Sequence, residues 1–354
     1  ELKEEYAKLQ ELIQHLNALL ASEVMRYEVI ENELVEIKEK YADERRTRII
    51  KMATEFNPED MYADDDMVIT ISHLGYIKRT PLADFRQQGR GGVGAKASAA
   101  RDEDFIEYVH QANMHSTMMF FTEQGRLYWT KVYELPEGNR QSKGRALQNM
   151  INIQKGDKVC AFIHVKNLND MEYVQNHYLI FATKDGLMKK TTLESYSRPR
   201  TNGIIALGLR EGDRLIRVTL TDGNSQMLVA SYNGKVVRFP EDSVRPMGRT
   251  ATGVRAIKLD EDGQDRVIGM ICVEEDSKES VLVISEKGYG KRTDLNDENG
   301  EAIYRITNRG AKGVKTMNLT DKTGNLIGLE AVTDEQDLML ITKSGTAIRM
   351  AMDT

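Results

Sequence analysis

The sequence is poor in the residues that build several common kinds of site. It has two cysteines, Cys160 and Cys272, and six histidines among 354 residues. Two distant cysteines exclude a disulfide scaffold and a cysteine-based metal cluster, and the histidines lack metal-binding spacing, so we expect no metal site. No apolar run approaches the roughly 18 residues of a membrane-spanning helix, and the first residues do not form a signal peptide. These absences are typical of a cytoplasmic protein that does not enter a membrane.

Catalytic patterns are missing as well. The sequence contains no Walker A motif, and no serine, histidine and aspartate or cysteine and histidine set stands in a recognisable order. Gly89, Gly91 and Gly94 match the spacing G-x-G-x-x-G, but no βαβ unit surrounds them, which argues against a dinucleotide site. We therefore expect no enzymatic activity and no cofactor in this chain by itself.

Charge is distributed unevenly along the chain. Residues 1–66 contain 9 Lys/Arg and 18 Asp/Glu, whereas residues 67–354 contain 40 and 37. An acidic head therefore precedes a mildly basic body, and the overall charge of −6 hides this difference. Where the basic residues cluster decides what they can bind.

The head has the pattern of helices that pack in a coiled coil. Apolar residues follow one another at steps of three and four from Leu2 to Leu20, and a second such series runs from Val24 to Tyr41. Ser22 separates the series and is a good N-cap. We predict a helical segment over residues 1–48 and a linker over 49–65.

The body, residues 66–354, is built from an internal repeat. A short apolar strand, a turn glycine and a second, basic strand recur six times, with 48 to 61 residues between turns. The turns at Asp185-Gly186 and Asn233-Gly234 are typical of tight β-hairpins. The turn glycines are Gly75, Gly125, Gly186, Gly234, Gly288 and Gly345.

Two further elements follow the first five hairpins. One is a second glycine near basic residues (Gly94, Gly144, Gly203, Gly253 and Gly313), and the other is a strand, such as Val159–Val165 or Val267–Val273. Four short strands in about 50 residues indicate blades around an axis. We predict a mainly β, six-bladed propeller-like fold, in which the sixth blade stops soon after its hairpin.

Basic residues recur at the same places in the repeats. In a ring of blades, such residues would form a belt suited to a bent polyanion, bound through phosphates and without sequence reading. The alternative is that they only solvate exposed strands. The predicted rim residues are Lys78, Arg79, Arg126, Lys131, Lys143, Arg145, Lys189, Lys190, Arg198, Arg200, Lys235, Arg238, Arg245, Arg249, Arg255, Lys291, Arg292, Arg309, Lys312 and Lys315.

The sequence that carries these residues resembles the C-terminal domain of DNA gyrase A, which is a six-bladed β-pinwheel. Residues 1–48 resemble the end of that subunit's coiled-coil arm. Val244-Arg245-Pro246-Met247-Gly248 and Tyr289-Gly290-Lys291-Arg292-Thr293 carry much of the resemblance. The family's gyrase A box, Gln-basic-Arg-Gly-Gly-basic-Gly, falls on residues 88–94, with Lys96 two residues beyond. Five of its positions match, whereas Gly89 and Val93 stand where the family has basic residues. The corresponding candidate DNA-binding residues are Gln88, Gly89, Arg90, Gly91, Gly92, Val93, Gly94 and Lys96.

The resemblance implies a function that composition alone does not give. The family's pinwheel binds and bends duplex DNA and wraps it with a defined handedness, which supports negative supercoiling by the ATP-dependent type IIA topoisomerase. The resemblance further implies a nucleoid-associated protein whose partners are duplex DNA, the rest of gyrase A and gyrase B in an A2B2 holoenzyme. ATP, Mg²⁺ and the catalytic tyrosine belong to parts of that enzyme outside this chain.

Two other functions stay open. The altered box allows the corresponding domain of topoisomerase IV, which bends DNA without chiral wrapping. A propeller-like platform for protein interactions is the second alternative, and it would need exposed apolar hot spots in place of a cationic track.

Overall fold

The computed structural model describes residues 1–44, 46–47, 58–84, 104, 106–139, 142–274, 277–341 and 347–352. The chain divides into two compact units, Glu1–Phe56 and Asn57–Thr354. The boundary lies inside the predicted linker. Among the described residues, no helix is both long and apolar enough to cross a membrane.

The first unit contains helices α1 (Leu2–Ala21) and α2 (Glu23–Tyr41). Ser22 lies between them as predicted, and its hydroxyl accepts a hydrogen bond from the Met25 amide at 3.4 Å. Every apolar side chain of the two predicted series is exposed, including Leu9 (58%) and Ile30 (50%). The helices therefore carry an apolar face that is exposed among the described residues of this unit.

The second unit consists of hairpins at the predicted places. Gly75, Gly125, Gly186, Gly234 and Gly288 all have φ between 75° and 83°, the left-handed conformation that favours glycine. Gly345 lies outside the described residues. The hairpin strands are β1 (Asp66–Ser72), β2 (Tyr76–Pro81), β4 (Thr117–Thr122), β5 (Arg126–Lys131), β8 (Tyr178–Thr183), β9 (Leu187–Thr192), β12 (Gln226–Ser231), β13 (Lys235–Pro240), β16 (Ser280–Ser285), β17 (Gly290–Asp294), β20 (Asp337–Ile341) and β21 (Ala347–Ala351).

A third strand follows each of the first five hairpins, as predicted, and it pairs with the first strand of its hairpin. A two-residue strand follows the second glycine of four repeats, and a short helix, α3 (Met171–Asn176), precedes β8. The third strands are β3 (Ile106–Asn113), β7 (Val159–Val165), β11 (Leu215–Thr221), β15 (Val267–Val273) and β19 (Leu326–Val332). The two-residue strands are β6 (Arg145–Ala146), β10 (Ile204–Ile205), β14 (Val254–Arg255) and β18 (Val314–Lys315).

The two-residue strands supply the fourth strand of the predicted blades from a neighbouring repeat. Each pairs with the second hairpin strand of the preceding repeat, giving the sheet orders β3-β1-β2-β6, β10-β5-β4-β7, β11-β8-β9-β14 and β15-β12-β13-β18. Every four-stranded sheet is thus completed by the next repeat. Among the described residues the fifth sheet has three strands (β17-β16-β19), which differs from the predicted four-stranded blade. Within the same residues, the sixth consists of its hairpin (β20-β21), in agreement with the predicted incomplete blade.

The second glycine of each repeat allows the two-residue strand to pair with the hairpin of the preceding repeat. At Gly253, φ is 96°, and a Cβ atom would lie 2.4 Å from the carbonyl oxygen of Met188 on the preceding hairpin. At Gly144 the corresponding distance to the Ile77 carbonyl is 2.3 Å. A side chain at either position would push the two-residue strand away from the hairpin strand with which it pairs.

The hydrophobic core is divided among the spaces between neighbouring sheets. Met118 and Phe120 of β4 pack with β1, whereas Met119 and Phe121 pack with β8. The next two cores repeat this division between β8 and β12 and between β12 and β16. Because alternate residues of a strand face opposite sides, both faces of a hairpin strand are covered. This explains why these strands are continuous apolar runs.

Candidate nucleic-acid interface

Five predicted rim residues lie inside the second unit. Lys78, Lys189 and Arg238 expose 3%, 0% and 3% of their surface, and Arg79 and Lys190 expose 6% and 5%. All five are three or four positions after a turn glycine, on strands that have no exposed residue. The structure therefore places these side chains in the interior and not on a rim. We do not include them in the interface.

Lys189 joins three segments that would otherwise be separate. Its Nζ donates hydrogen bonds to the Ala206 and Arg249 carbonyl oxygens, at 2.5 Å each, and to the Tyr196 hydroxyl at 3.1 Å. The ammonium group also lies 4.7 Å from the centre of the Phe181 ring. Burial, together with the positive charge of Arg249, lowers the pKa of Lys189 to about 7. This lysine fixes the loop that carries Arg249 from within.

Lys190 forms a buried ion pair with the next hairpin. Its Nζ lies 2.8 Å from a carboxylate oxygen of Glu241, a residue that exposes none of its surface. Glu241 also accepts hydrogen bonds from the Thr221 hydroxyl at 2.8 Å and the Ser225 amide at 3.2 Å. With these partners the carboxylate is well satisfied despite its burial.

Two arginines make equivalent contacts between other hairpins. Arg79 donates through Nη1 to the carbonyl oxygens of Val132, at 3.2 Å, and Tyr133. Arg292 donates to the Met352 carbonyl at 2.8 Å. Val132 and Met352 occupy the same place in their repeats, just after the second hairpin strand. The cation at this strand position therefore holds one hairpin to the next.

Five other predicted rim residues are partly exposed, and four of them already have protein partners. Hydrogen bonding from Lys235 lowers the pKa of the Asp260 carboxyl below its ordinary value. The fifth, Arg249, lies on the loop that Lys189 anchors. The partners are the Asn202 carbonyl oxygen for Arg126 (3.0 Å), Glu59 for Lys131 (2.5 Å), Asp260 for Lys235 (2.5 Å) and Asp334 for Arg292 (2.6 Å).

The remaining ten are exposed, and nine of them lie on four related segments. We name these segments the rim loops: residues 132–146, 193–205, 241–255 and 295–315, each leading from a hairpin to a two-residue strand. The tenth, Lys291, is on β17. The exposed rim-loop residues are Lys143, Arg145, Arg198, Arg200, Arg245, Arg255, Arg309, Lys312 and Lys315.

Hydrogen bonds connect the rim loops and the residues that follow them. The Gly208 amide donates to the Ala251 carbonyl oxygen at 3.2 Å, and the Gly310 amide donates to that of Ala256 at 2.7 Å. The Arg309 guanidinium donates a hydrogen bond to the Arg255 carbonyl oxygen at 3.3 Å. Hydrogen bonds thus join the last three rim loops, which carry seven of the nine exposed cations.

Such a surface suits a polyanion with a regular backbone. Exposed lysine and arginine side chains neutralise phosphates and release counterions, so the affinity falls steeply with salt. Contacts of this kind fix the position of a duplex without reading its bases. Among the described residues, no group of three or more histidine, cysteine, aspartate or glutamate side chains is arranged to hold a metal ion.

Sequence reasoning missed some exposed cations beside the predicted ones. Arg210, Lys258 and Arg305 are exposed and lie on or next to the rim loops. Arg210 and Lys258 both lie 24 residues after their turn glycines, as the predicted Lys312 does, so the repeat pattern could have indicated them. Arg305 lies 17 residues after its turn glycine and has no basic counterpart in the other repeats. The predicted gyrase A box, from Gln88 to Gly94 with Lys96, lies outside the described residues.

The family comparison bears directly on this arrangement. The family model "DNA gyrase C-terminal domain, beta-propeller" matches residues 66–113, 116–166, 177–222, 226–274, 279–333 and 336–354. The chain belongs to this family. Its six matched segments each begin at or just before one of the six hairpins.

Curated relatives extend the likeness to the first unit. The chain is 41% identical over 350 residues to the DNA gyrase A protein of Staphylococcus epidermidis (strain ATCC 12228 / FDA PCI 1200), covering 99% of this chain and 38% of the relative. It is 40% identical to the DNA gyrase A protein of Staphylococcus aureus (strain NCTC 8325 / PS 47), with the same coverage. The chain thus spans less than two fifths of the length of these gyrase A proteins.

Solved structures share the fold. The C-terminal domain of a DNA topoisomerase IV matches with a TM-score of 0.66 at 24% identity, over 82% of this chain and 85% of that chain. A DNA gyrase A C-terminal domain matches with a TM-score of 0.61 at 23% identity, over 82% and 90%. At these identities the two likenesses establish the gyrase-type fold alone.

Proposed function

We propose that this gyrase-family chain binds and bends duplex DNA along its rim loops and wraps it with a defined handedness. The observation that carries the proposal is the set of nine exposed cations on four equivalent loops, of which the last three are joined by hydrogen bonds. Smooth bending of a 20–30 bp site costs about 1–6 kcal/mol, which a series of phosphate contacts offsets. The buried strand cations support the same surface from inside by holding the hairpins together.

The pairing rule of the four complete sheets suggests how the ring of blades is closed. In four repeats the residues after the second glycine complete the preceding sheet. By the same rule, the residues after Gly94 in the first repeat would complete the sheet of the sixth hairpin, β20–β21. We therefore propose six blades, with the gyrase A box joining the first to the last. The exposed apolar face of α1 and α2 supports the assignment of residues 1–48 to a coiled-coil arm.

The wider role follows from the family. We propose that the chain is the non-catalytic, DNA-wrapping part of gyrase A, which works with gyrase B in an A2B2 enzyme in the bacterial cytoplasm, on the nucleoid. Strand cleavage, ATP and Mg²⁺ would then belong to other parts of that enzyme. The chain itself would change DNA topology only by wrapping.

The test is a linking-number measurement. Relaxed circular plasmid is incubated with the protein, a nicking-closing enzyme is added, and the topoisomers are separated after protein removal. A positive shift that grows with protein and fades with salt is expected for chiral wrapping. Absence of binding at low salt would contradict the proposal.

The altered box favours one alternative. Gly89 and Val93 remove two of the family's basic positions, which would weaken closure of the wrap. A topoisomerase IV-like domain would bind and bend DNA without shifting the linking number. The same experiment separates the two functions.

A further inference from the structure

The predicted linker contains a segment that is packed on the second repeat. Residues 58–66, which we name the acidic strap, begin with a 3-10 turn (Pro58–Met61) and run into β1. The strap carries five carboxylates and no basic residue. The carboxylates belong to Glu59, Asp60, Asp64, Asp65 and Asp66.

The strap is held to the end of the second hairpin along its length. The Tyr62 ring stacks on Tyr133 with centroids 5.0 Å apart. The Tyr62 carbonyl oxygen lies 2.8 Å from Nε2 of His115, and the His115 amide donates to the Asp64 carboxylate at 3.0 Å. The Met114 amide donates to the Asp65 carbonyl oxygen at 3.0 Å. A segment with this many partners has a defined position on the second repeat.

The strap also pairs with Lys131, one of the residues predicted to contact DNA. Lys131 Nζ lies 2.5 Å from the Glu59 carboxylate, and both side chains remain partly exposed, at 29% and 28%. Lys131 is the residue immediately before the rim loop that carries Lys143 and Arg145. A phosphate arriving at this end of the loop meets a lysine that is already bound to Glu59 and, at 3.1 Å, to the His115 carbonyl oxygen. The strap that supplies Glu59 carries four further carboxylates.

We propose that the acidic strap competes with DNA for Lys131, so that the start of the first described rim loop binds a phosphate only when Glu59 is displaced. The proposal rests on the DNA-binding function proposed above. The contact is accessible and charge-based, so an incoming phosphate can replace the Glu59 carboxylate without disturbing the core. Binding at this position therefore exchanges one anion for another, whereas an unpaired lysine would release counterions.

The experiment compares two substitutions in the full chain that remove the same charge. Glu59→Gln breaks the pair with Lys131, and Asp60→Asn is the matched control on the adjacent residue, whose side chain is exposed. Affinity for a fluorescent linear duplex is measured across a series of salt concentrations. We expect Glu59→Gln to bind about two- to fivefold more tightly, the range that an exposed ion pair represents. Its salt dependence should steepen by about 0.9 in the slope of log K against log salt.

Hydrogen exchange in the unsubstituted chain supplies a second measurement. The amides of Tyr62 and His115 are bonded within or to the strap, so DNA that displaces the strap should speed their exchange. DNA binding that leaves these amides protected, with Glu59→Gln and Asp60→Asn indistinguishable, overturns the competition and leaves the DNA function standing. Failure of all three proteins to bind DNA at low salt overturns the DNA function, and the competition with it.

Discussion

The basic residues of the hairpin strands and those of the rim loops have similar chemistry and opposite environments. Lys189 and Lys190 are buried and have partners within this chain. Lys312 and Lys315 are exposed. A strand between two sheets has no solvent face, so its cations must find acceptors inside. A loop on the outer edge leaves its cations to solvent and to ligands. Periodic charge in this repeat protein therefore divides between cations that hold the repeats together and cations that stay exposed on the loops.

Loss of a strand cation should damage the fold most. Lys190→Met leaves the Glu241 carboxylate buried without its counter-ion, and we expect a loss of about 3–5 kcal/mol in the free energy of unfolding. Urea denaturation followed by circular dichroism measures it. The double variant Lys190→Met/Glu241→Leu should recover much of the loss, because both charges are then absent. A single variant as stable as the parent would contradict the assignment of this pair to the core.

Lys189 should make stability depend on pH. Its pKa is about 7 in the folded protein, against an ordinary value of 10.5. Between these values the unfolded chain binds a proton that the folded chain does not, so the free energy of unfolding rises with pH. The contribution of one such group is about 1.4 kcal/mol per pH unit. Denaturation of the parent and of Lys189→Met from about pH 7 to pH 9 should show the steeper rise only in the parent.

Substitutions in the rim loops should weaken DNA binding and leave the stability of the fold nearly unchanged. Lys312→Gln/Lys315→Gln removes two exposed cations, so we expect weaker DNA binding and a salt slope smaller by about 1.8. The free energy of unfolding should change by less than about 0.5 kcal/mol per substitution. Lys166→Gln, which removes an exposed cation after the third strand β7, is the control and should leave the slope unchanged. Equal slopes in all three proteins would remove this loop from the interface.

The smallest effect is expected for an exposed pair between third strands. Arg217 of β11 lies 3.2 Å from Glu330 of β19, with side chains exposed by 41% and 52%. Arg217→Gln should cost at most about 1 kcal/mol of stability, because solvent already screens the pair. Thermal unfolding checks this value. A much larger loss would show that exposure does not separate structural cations from the others.

The repeat itself could be predicted from sequence because glycine has few substitutes where φ is positive. Gly125 and Gly186 mark their hairpins, and the strand over Val159–Val165 agrees residue for residue. The side on which Lys189 or Lys190 lies could not be predicted. Adjacent residues in a strand face opposite sides, and only the neighbouring sheets decide that both sides are buried.

The partner of each two-residue strand was also beyond sequence reasoning. Ile204–Ile205 is too short for a periodic signal, and its pairing with β5 of the preceding repeat depends on the packing of whole sheets. The acidic strap was hidden for a related reason. Residues such as Glu59 and Asp64 are typical of a linker, and only the stacked tyrosines and the ion pair with Lys131 show that the segment is packed.

The pairing of each two-residue strand with the preceding repeat has a consequence for how the number of repeats can change. The unit repeated in the gene is offset from the sheet, because each repeat supplies one strand to its predecessor. Removing one whole repeat leaves the preceding sheet to be completed by the next copy, whereas a cut along the border of a sheet exposes an unpaired edge. Duplication and loss by whole repeats therefore preserve every closed edge, so the number of repeats can change in evolution without a new edge having to be protected.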